Sequence, residues 1–181
     1  PGSYTLTMIL QDLAGNSTIS SANLQIDNTD LDLNWRGFKD VGMGINFLYP
    51  WGWTDPTQLA DETGQVDQLM ISDPDGGISI YVAMRDADID TVVQDLIDYE
   101  GSLPNAQVAD PVPLEDDPQN GQWITYAYTD DDGNWRNGAV IVVWSAENNA
   151  TYTLDVDAAD TAYDDATVVI DSLYNSLTFF P

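Results

Sequence analysis

The chain has 181 residues and a mass of 19.9 kDa, enough for one ordinary domain with a small addition. Four Lys and Arg stand against 31 Asp and Glu, a formal net charge of −27, and the sequence holds neither His nor Cys. That excludes disulfides, zinc held by thiolate or imidazole, thiol nucleophiles and a Ser-His-Asp triad, and it leaves no basic patch for nucleic acid or anionic lipid.

No apolar run approaches the roughly 18–20 residues of a membrane span. With 43% hydrophobic and 10% aromatic residues the composition is that of a folded chain, not a disordered one. A chain this acidic repels itself. It stays folded because its core outweighs the repulsion or because cations screen or bind the carboxylates. Asp far above Glu, few Lys and abundant Thr, Asn and Gly point to a secreted or cell-surface protein.

Residues 1–27 read as two strands around a turn. Tyr4, Leu6, Met8 and Leu10 alternate with Thr5, Thr7 and Ile9, Asp12 to Asn16 form a turn cluster, and Ile19, Ala22, Leu24 and Ile26 mark the second strand. The phrase Pro1 to Leu6 followed by Asp12 to Asn16 resembles the last two strands of bacterial immunoglobulin-like repeats, without their earlier strands. A lone hairpin is marginal in water. It is therefore expected to be the remnant of an upstream repeat, to brace the following domain, or to donate strands to a neighbouring molecule. Residues 28–34 read as a linker, and the main domain as 35–181.

In the main domain, Met43, Ile45, Phe47 and Tyr49 predict a strand ending at Pro50. Val66 to Ile71 and Ile78 to Val82 predict two more around the turn Asp73 to Gly77. Ile89, Val92, Val93, Leu96 and Ile97 lie on one helix face, capped by Asp88 or Asp90 and closed by Gly101. After a Pro- and Asp-rich loop from Pro111 to Gly121, Trp123 to Asp130 and Trp135 to Trp144 predict a hairpin. Ala150 to Val156 is a further strand. Ala162, Ala166, Val169, Ile170 and Leu173 predict a second helix with Asp157 or Asp160 as its cap, and Leu177 to Phe180 a short terminal strand.

A two-residue turn at Asp132-Gly133 pairs Trp135 with Asp130 and Ile141 with Ile124. One face then carries Ile124, Tyr126, Tyr128, Trp135, Ala139, Ile141 and Val143, and the other Trp123, Thr125, Ala127, Val140, Val142 and Trp144. Both are apolar, so the expected class is α+β: a mainly antiparallel sheet with helices on both faces, an α/β/α sandwich. Gly44 to Pro50 followed by Trp53, the Asp131-Asp132-Gly133 hairpin, Tyr152-Thr153-Leu154 and the helix end Ile170 to Leu173 resemble, in that order, the PsbP/Mog1-like family. The resemblance implies that fold over 35–181 but no activity, because the family shares none.

Three residue groups are candidates for chemistry. Asp130, Asp132 and Asn134 offer oxygens of the kind calcium takes in shells of roughly six to eight, although Asp-Gly is also a favoured hairpin turn. Trp51, Trp53 and Trp135 are candidates for stacking on sugars, against a packing role for the tryptophans as a set. Carboxylate pairs serve glycoside hydrolysis, but nothing in the sequence places one in an apolar pocket. The sequence thus points to a non-catalytic extracellular structural or adhesive module of a surface protein or assembly. A calcium- or glycan-binding module is the first alternative and a carboxylate-pair hydrolase the second. Expected partners are a neighbouring domain or subunit through residues 1–27, or a second copy of the chain, with neither nucleic acid nor membrane insertion.

Overall fold

The computed structural model describes residues 2–11, 17–26, 35–60, 66–114 and 121–181. The chain divides into two compact units, Pro1–Asn34 and Trp35–Pro181. In the first, β1 (Gly2–Gln11) and β2 (Ser17–Ile26) pair antiparallel from Gly2↔Ile26 to Gln11↔Ser17. The turn expected at Asp12 to Asn16 and the linker 28–34 lie outside the described residues.

Among its described residues the second unit holds two antiparallel sheets and two α-helices. Its strands are β3 (Trp35–Asp40), β4 (Ile45–Pro50), β5 (Thr57–Ala60), β6 (Val66–Ser72) and β7 (Ile78–Arg85), followed by α1 (Ile89–Gly101). Two short strands, β8 (Gln107–Val108) and β9 (Val112–Pro113), precede β10 (Gln122–Thr129), β11 (Trp135–Ser145) and β12 (Ala150–Ala159). A 3-10 turn (Asp160–Ala162) leads into α2 (Tyr163–Ser176), and β13 (Thr178–Phe179) ends the order. The large sheet runs β5-β6-β7-β12-β11-β10-β8, with β9 also on β10, and the small one runs β13-β4-β3.

The hairpin register differs from the expected one by a single residue. Trp135 pairs with Thr129, Val140 with Ile124 and Ile141 with Trp123. The loop has three residues, not two. The Gly133 N–H donates to the Asp130 carbonyl at 3.0 Å, the Asp130 N–H donates to the Asn134 carbonyl at 2.9 Å, and Gly133 takes the left-handed φ of 83°. Because side chains alternate along a strand, the shift exchanges the whole facing set of β11. Ile124 and Tyr126 now share a cluster with Val140, Val142 and Val92 of α1. Ala139, Ile141 and Val143 join a larger cluster with Leu154, Val156, the β4 residues Ile45 and Phe47, and Ala166, Val169, Ile170 and Leu173 of α2.

Two further corrections concern α2 and the strand before it. Neither Asp157 nor Asp160 caps α2. The residue before it is Ala162 with no side-chain cap, and β12 runs on to Ala159, so Asp157 lies within the sheet. Asp160 begins the 3-10 turn and accepts a hydrogen bond from Asn137 Nδ2 at 2.8 Å. In α1, by contrast, the Asp88 carboxylate accepts the Thr91 N–H at 2.9 Å, as a cap should. The periodicity predicts none of β3, β5, β8 and β9, and β9 falls in the segment from Pro111 to Gly121 expected as a loop; Trp35 and Phe38 of β3 are partly buried against the large core.

Two glycines are required by close approach. A Cβ on Gly44, at φ 64°, would meet the Phe180 carbonyl at 2.6 Å. A Cβ on Gly138 would fall 2.0 Å from Tyr126 Cζ, because the Tyr126 ring lies across the β11 backbone at that point. Gly138→Ala must therefore push the ring away and break the hydrogen bond that its hydroxyl makes. We expect a loss of roughly 3 kcal/mol or more by urea denaturation, from overpacking plus the lost bond. In a Tyr126→Ala background the same change should cost less than about 1 kcal/mol, so the cycle isolates the contact.

Candidate functional site

On the face of the large sheet that α1 partly covers, the register lines up one residue of each pair. Tyr126, Gly138 and Asp157 lie in one row, and Ile124, Val140, Asp155 and Tyr81 in the next. Val92 of α1 packs on Ile124, Val140 and Val142, and Ile89, Val93, Leu96 and Ile97 flank it. Thr151 Oγ1 donates to the Ala87 carbonyl at 2.6 Å and ties the helix entry to β12. Beside this contact the helix leaves a cleft of about 810 Å³, walled by Val92, Leu96 and Leu103 and floored by Tyr81, Tyr126, Tyr128, Asp155 and Asp157, with Glu100 facing it from the last turn of α1.

The floor is a hydrogen-bonded network. Tyr126, its ring over Gly138, donates its hydroxyl to Asp155 Oδ1 at 2.8 Å. Tyr128 donates to Asp157 Oδ2 at 3.0 Å, and Arg136 Nε reaches both oxygens of Asp157 at 2.9 and 3.0 Å. The two tyrosine rings stack with centroids 6.2 Å apart. Burial next to acids raises both phenols well above their ordinary range, so they remain neutral donors.

Two carboxyls of the cleft have no cation beside them. Glu100 is 2% exposed and no hydrogen bond from a described residue reaches its carboxyl. Burial, reinforced by the charges of Asp155 and Asp157, pushes it up to about 8. Asp155 is pushed up to about 7, chiefly by burial and also by Asp157, with the Tyr126 hydrogen bond acting in the opposite direction.

The sequence candidates lie elsewhere. Asp130 Oδ1 accepts the N–H groups of Asp132 at 3.0 Å and Asn134 at 2.8 Å, and those bonds hold its carboxyl below the usual range. It thus serves the hairpin turn, and among the described residues no three acidic side chains converge as a metal site. Trp51 and Trp53 follow β4 at the small sheet, whereas Trp135 opens β11 of the large one. Trp51 is 65% exposed and lies 5.4 Å from the Arg36 guanidinium, while Trp53 is partly buried and accepts an Arg36 hydrogen bond at its carbonyl. Trp135 is 40% exposed.

Sequence reasoning missed Glu100, Asp155 and Gly138. The available signal was Thr153-x-Asp155-x-Asp157, which alternates on one pleat and places two carboxylates within a sheet once the strand is carried to Ala159.

No family model matches the sequence, and no curated protein matches it. Solved structures do. LpqN of Mycobacterium tuberculosis, described as involved in cell envelope biogenesis, matches with a TM-score of 0.56 at 17% identity over 84% of this chain and 94% of its own. The cyanobacterial PsbP (CyanoP) of Synechocystis sp. PCC 6803 matches with a TM-score of 0.54 at 14% identity, over 86% and 98%. The Ran-binding protein Mog1p of Saccharomyces cerevisiae matches with a TM-score of 0.55 at 10% identity, over 82% and 96%. At these identities the likeness is one of fold, and the fold is PsbP/Mog1-like. The immunoglobulin-like part of the expectation stays a resemblance of sequence. Among the described residues no helix is long and apolar enough to cross a membrane.

Glu100 sets a measurable pH dependence. Between the ordinary value of 4.5 and about 8 the folded chain holds a proton that the unfolded chain has released. Stability from neutral Glu100 is therefore complete below about 4.5 and lost as pH rises through about 8. Glu100→Gln keeps the neutral form at every pH. Melting curves of the two proteins should coincide at low pH and separate at pH 8.5, with the variant higher by roughly 5 °C or more. Parallel curves across the range would contradict a buried, ionising Glu100.

Proposed function

We propose that this chain is a non-catalytic module of the cell envelope or cell surface, an α/β/α sandwich whose working surface is the cleft beside α1. The observation that carries the reading is the cleft itself. It joins apolar walls to a floor of fixed hydroxyls and carboxyls, the make-up of a small-ligand site, in a chain without His or Cys. The acidity of the surface supports an exported setting, as does the description of LpqN, a protein of similar fold, as involved in cell envelope biogenesis. Residues 1–27 are proposed as the point of attachment to a neighbouring domain or subunit.

Antibodies against 35–181 should label intact cells and lose the label after mild surface proteolysis; label seen only in permeabilised cells would remove the surface assignment. Chromogenic glycosides, esters and phosphoesters should show no turnover above buffer from pH 5 to 8, and a bell-shaped rate profile on any of them would replace the reading by the hydrolase. If the strand pair joins copies, light scattering should find a multimer for the full chain and a monomer for one beginning at Trp35. Equal masses would leave only a neighbouring domain as its partner.

A further inference from the structure

Taking the cleft as the module's binding surface, as proposed above, we infer that it receives an organic cation: an ammonium group carried on a short apolar stem. The first ground is a charge imbalance that the chain does not correct. Its four cations are Arg36, Lys39, Arg85 and Arg136. Arg36 stacks on Tyr49 and pairs with Asp55, and Lys39 lies 4.0 Å from the centre of the Phe180 ring. Arg85 lies 4.0 Å from Asp67, and Arg136 is held by Asp157. Arg85 also lines the cleft, half-exposed and turned to Asp67, and the charges that act on Glu100 and Asp155 are those of neighbouring acids.

The second ground is the burial of Glu100 and its lack of a hydrogen-bond partner among the described residues. Glu100 is 98% buried by its 2% exposure, and its carboxyl lies on the cleft without a hydrogen-bond donor from the described residues. The one fully enclosed side-chain atom without a partner among the described residues is Arg36 Nε, so the Glu100 oxygens keep access from the cleft and are open to a donor that enters it. An ammonium group supplies donors and charge together.

The surroundings select the type of cation. No three acidic side chains among the described residues converge on one point, so the site lacks the oxygen cage of an inorganic ion. Tyr126 and Tyr128 both line the cleft, and cations are attracted to aromatic rings. Val92, Leu96 and Leu103 offer an apolar wall for methylenes. The field of a chain at −27 concentrates cations at its surface.

The test is an amide NMR titration of the full chain at pH 8.5 with n-butylammonium chloride. n-Butanol and sodium chloride at equal concentrations serve as controls for the stem and for ionic strength. Saturable shifts should cluster on α1 and β12 with a dissociation constant on the order of millimolar, as fits a ligand of so few atoms, and neither control should reproduce them. Glu100→Gln should weaken binding about tenfold or more, although it melts no lower than the parent, whereas Asp171→Asn on the exposed side of α2 should bind as the parent does. Equal shifts with n-butanol or sodium chloride, shifts scattered outside the cleft, or full affinity in Glu100→Gln would each overturn the inference. Absence of binding by a chain that still labels intact cells overturns the ligand class alone. Loss of the surface label overturns the module reading instead.

Discussion

The three-residue turn between Asp130 and Asn134 is the constraint on which the sheet and the cleft depend. The Asp130 carboxylate gathers two backbone N–H groups and Gly133 supplies the left-handed residue, so the turn closes only one way. With that register Tyr126 falls opposite Gly138, where no side chain blocks its ring. A slip of one residue would set Tyr126 opposite Asn137 or Ala139 and turn the facing set of β11 over. The ring then could not reach across to Asp155, and the floor of the cleft would not form.

What the register builds is locally unfavourable at Glu100. Asp157 is partly buried and fully answered by Tyr128 and Arg136. Asp40 is likewise buried but accepts from the Met43 N–H and from Gln58 Nε2. Glu100 has no such answer. A leucine or glutamine there would suit the fold better at neutral pH, since a raised carboxyl pKa is a stability cost above its ordinary value. The proposed binding role would account for this local conflict.

The legible part of the sequence was the part written in periodicity. Ile89 to Ile97 placed α1, one of its two candidate caps, Asp88, is the cap, and the alternation of Ile78 to Val82 and of Ala150 to Val156 placed strands that the structure contains. The errors arose where one residue decides between alternatives of equal pattern. Asp132-Gly133 reads as a two-residue turn until the Asp130 side chain is counted, and that moved every partner in the hairpin. Asp157 reads as a helix cap as readily as a strand residue, because Asp is at home before a helix and rare inside a sheet. Ending the strand at Val156 hid the second carboxylate and with it the floor of the cleft. Glu100 could not be found at all. Its meaning depends on β12, more than fifty residues away in sequence, and local patterns do not carry such contacts.

The distribution of the core explains how the domain tolerates this. The cluster that unites β4, β6, β7, β11, β12 and α2 holds nearly all of the fully buried large side chains, with Tyr152 at its centre donating its hydroxyl to the Met43 carbonyl and packing on Phe179. The cluster under α1 is small and consists of Val92, Ile124, Tyr126, Val140 and Val142. Apolar burial on the α2 side therefore supplies most of the stability, and the α1 side is left to hold carboxyls and hydroxyls in place at modest cost to the whole. A helix seated on so few contacts opens at lower free energy than the core beneath it. The same thin packing that leaves the cleft beside α1 thus also makes α1 the element that opens first.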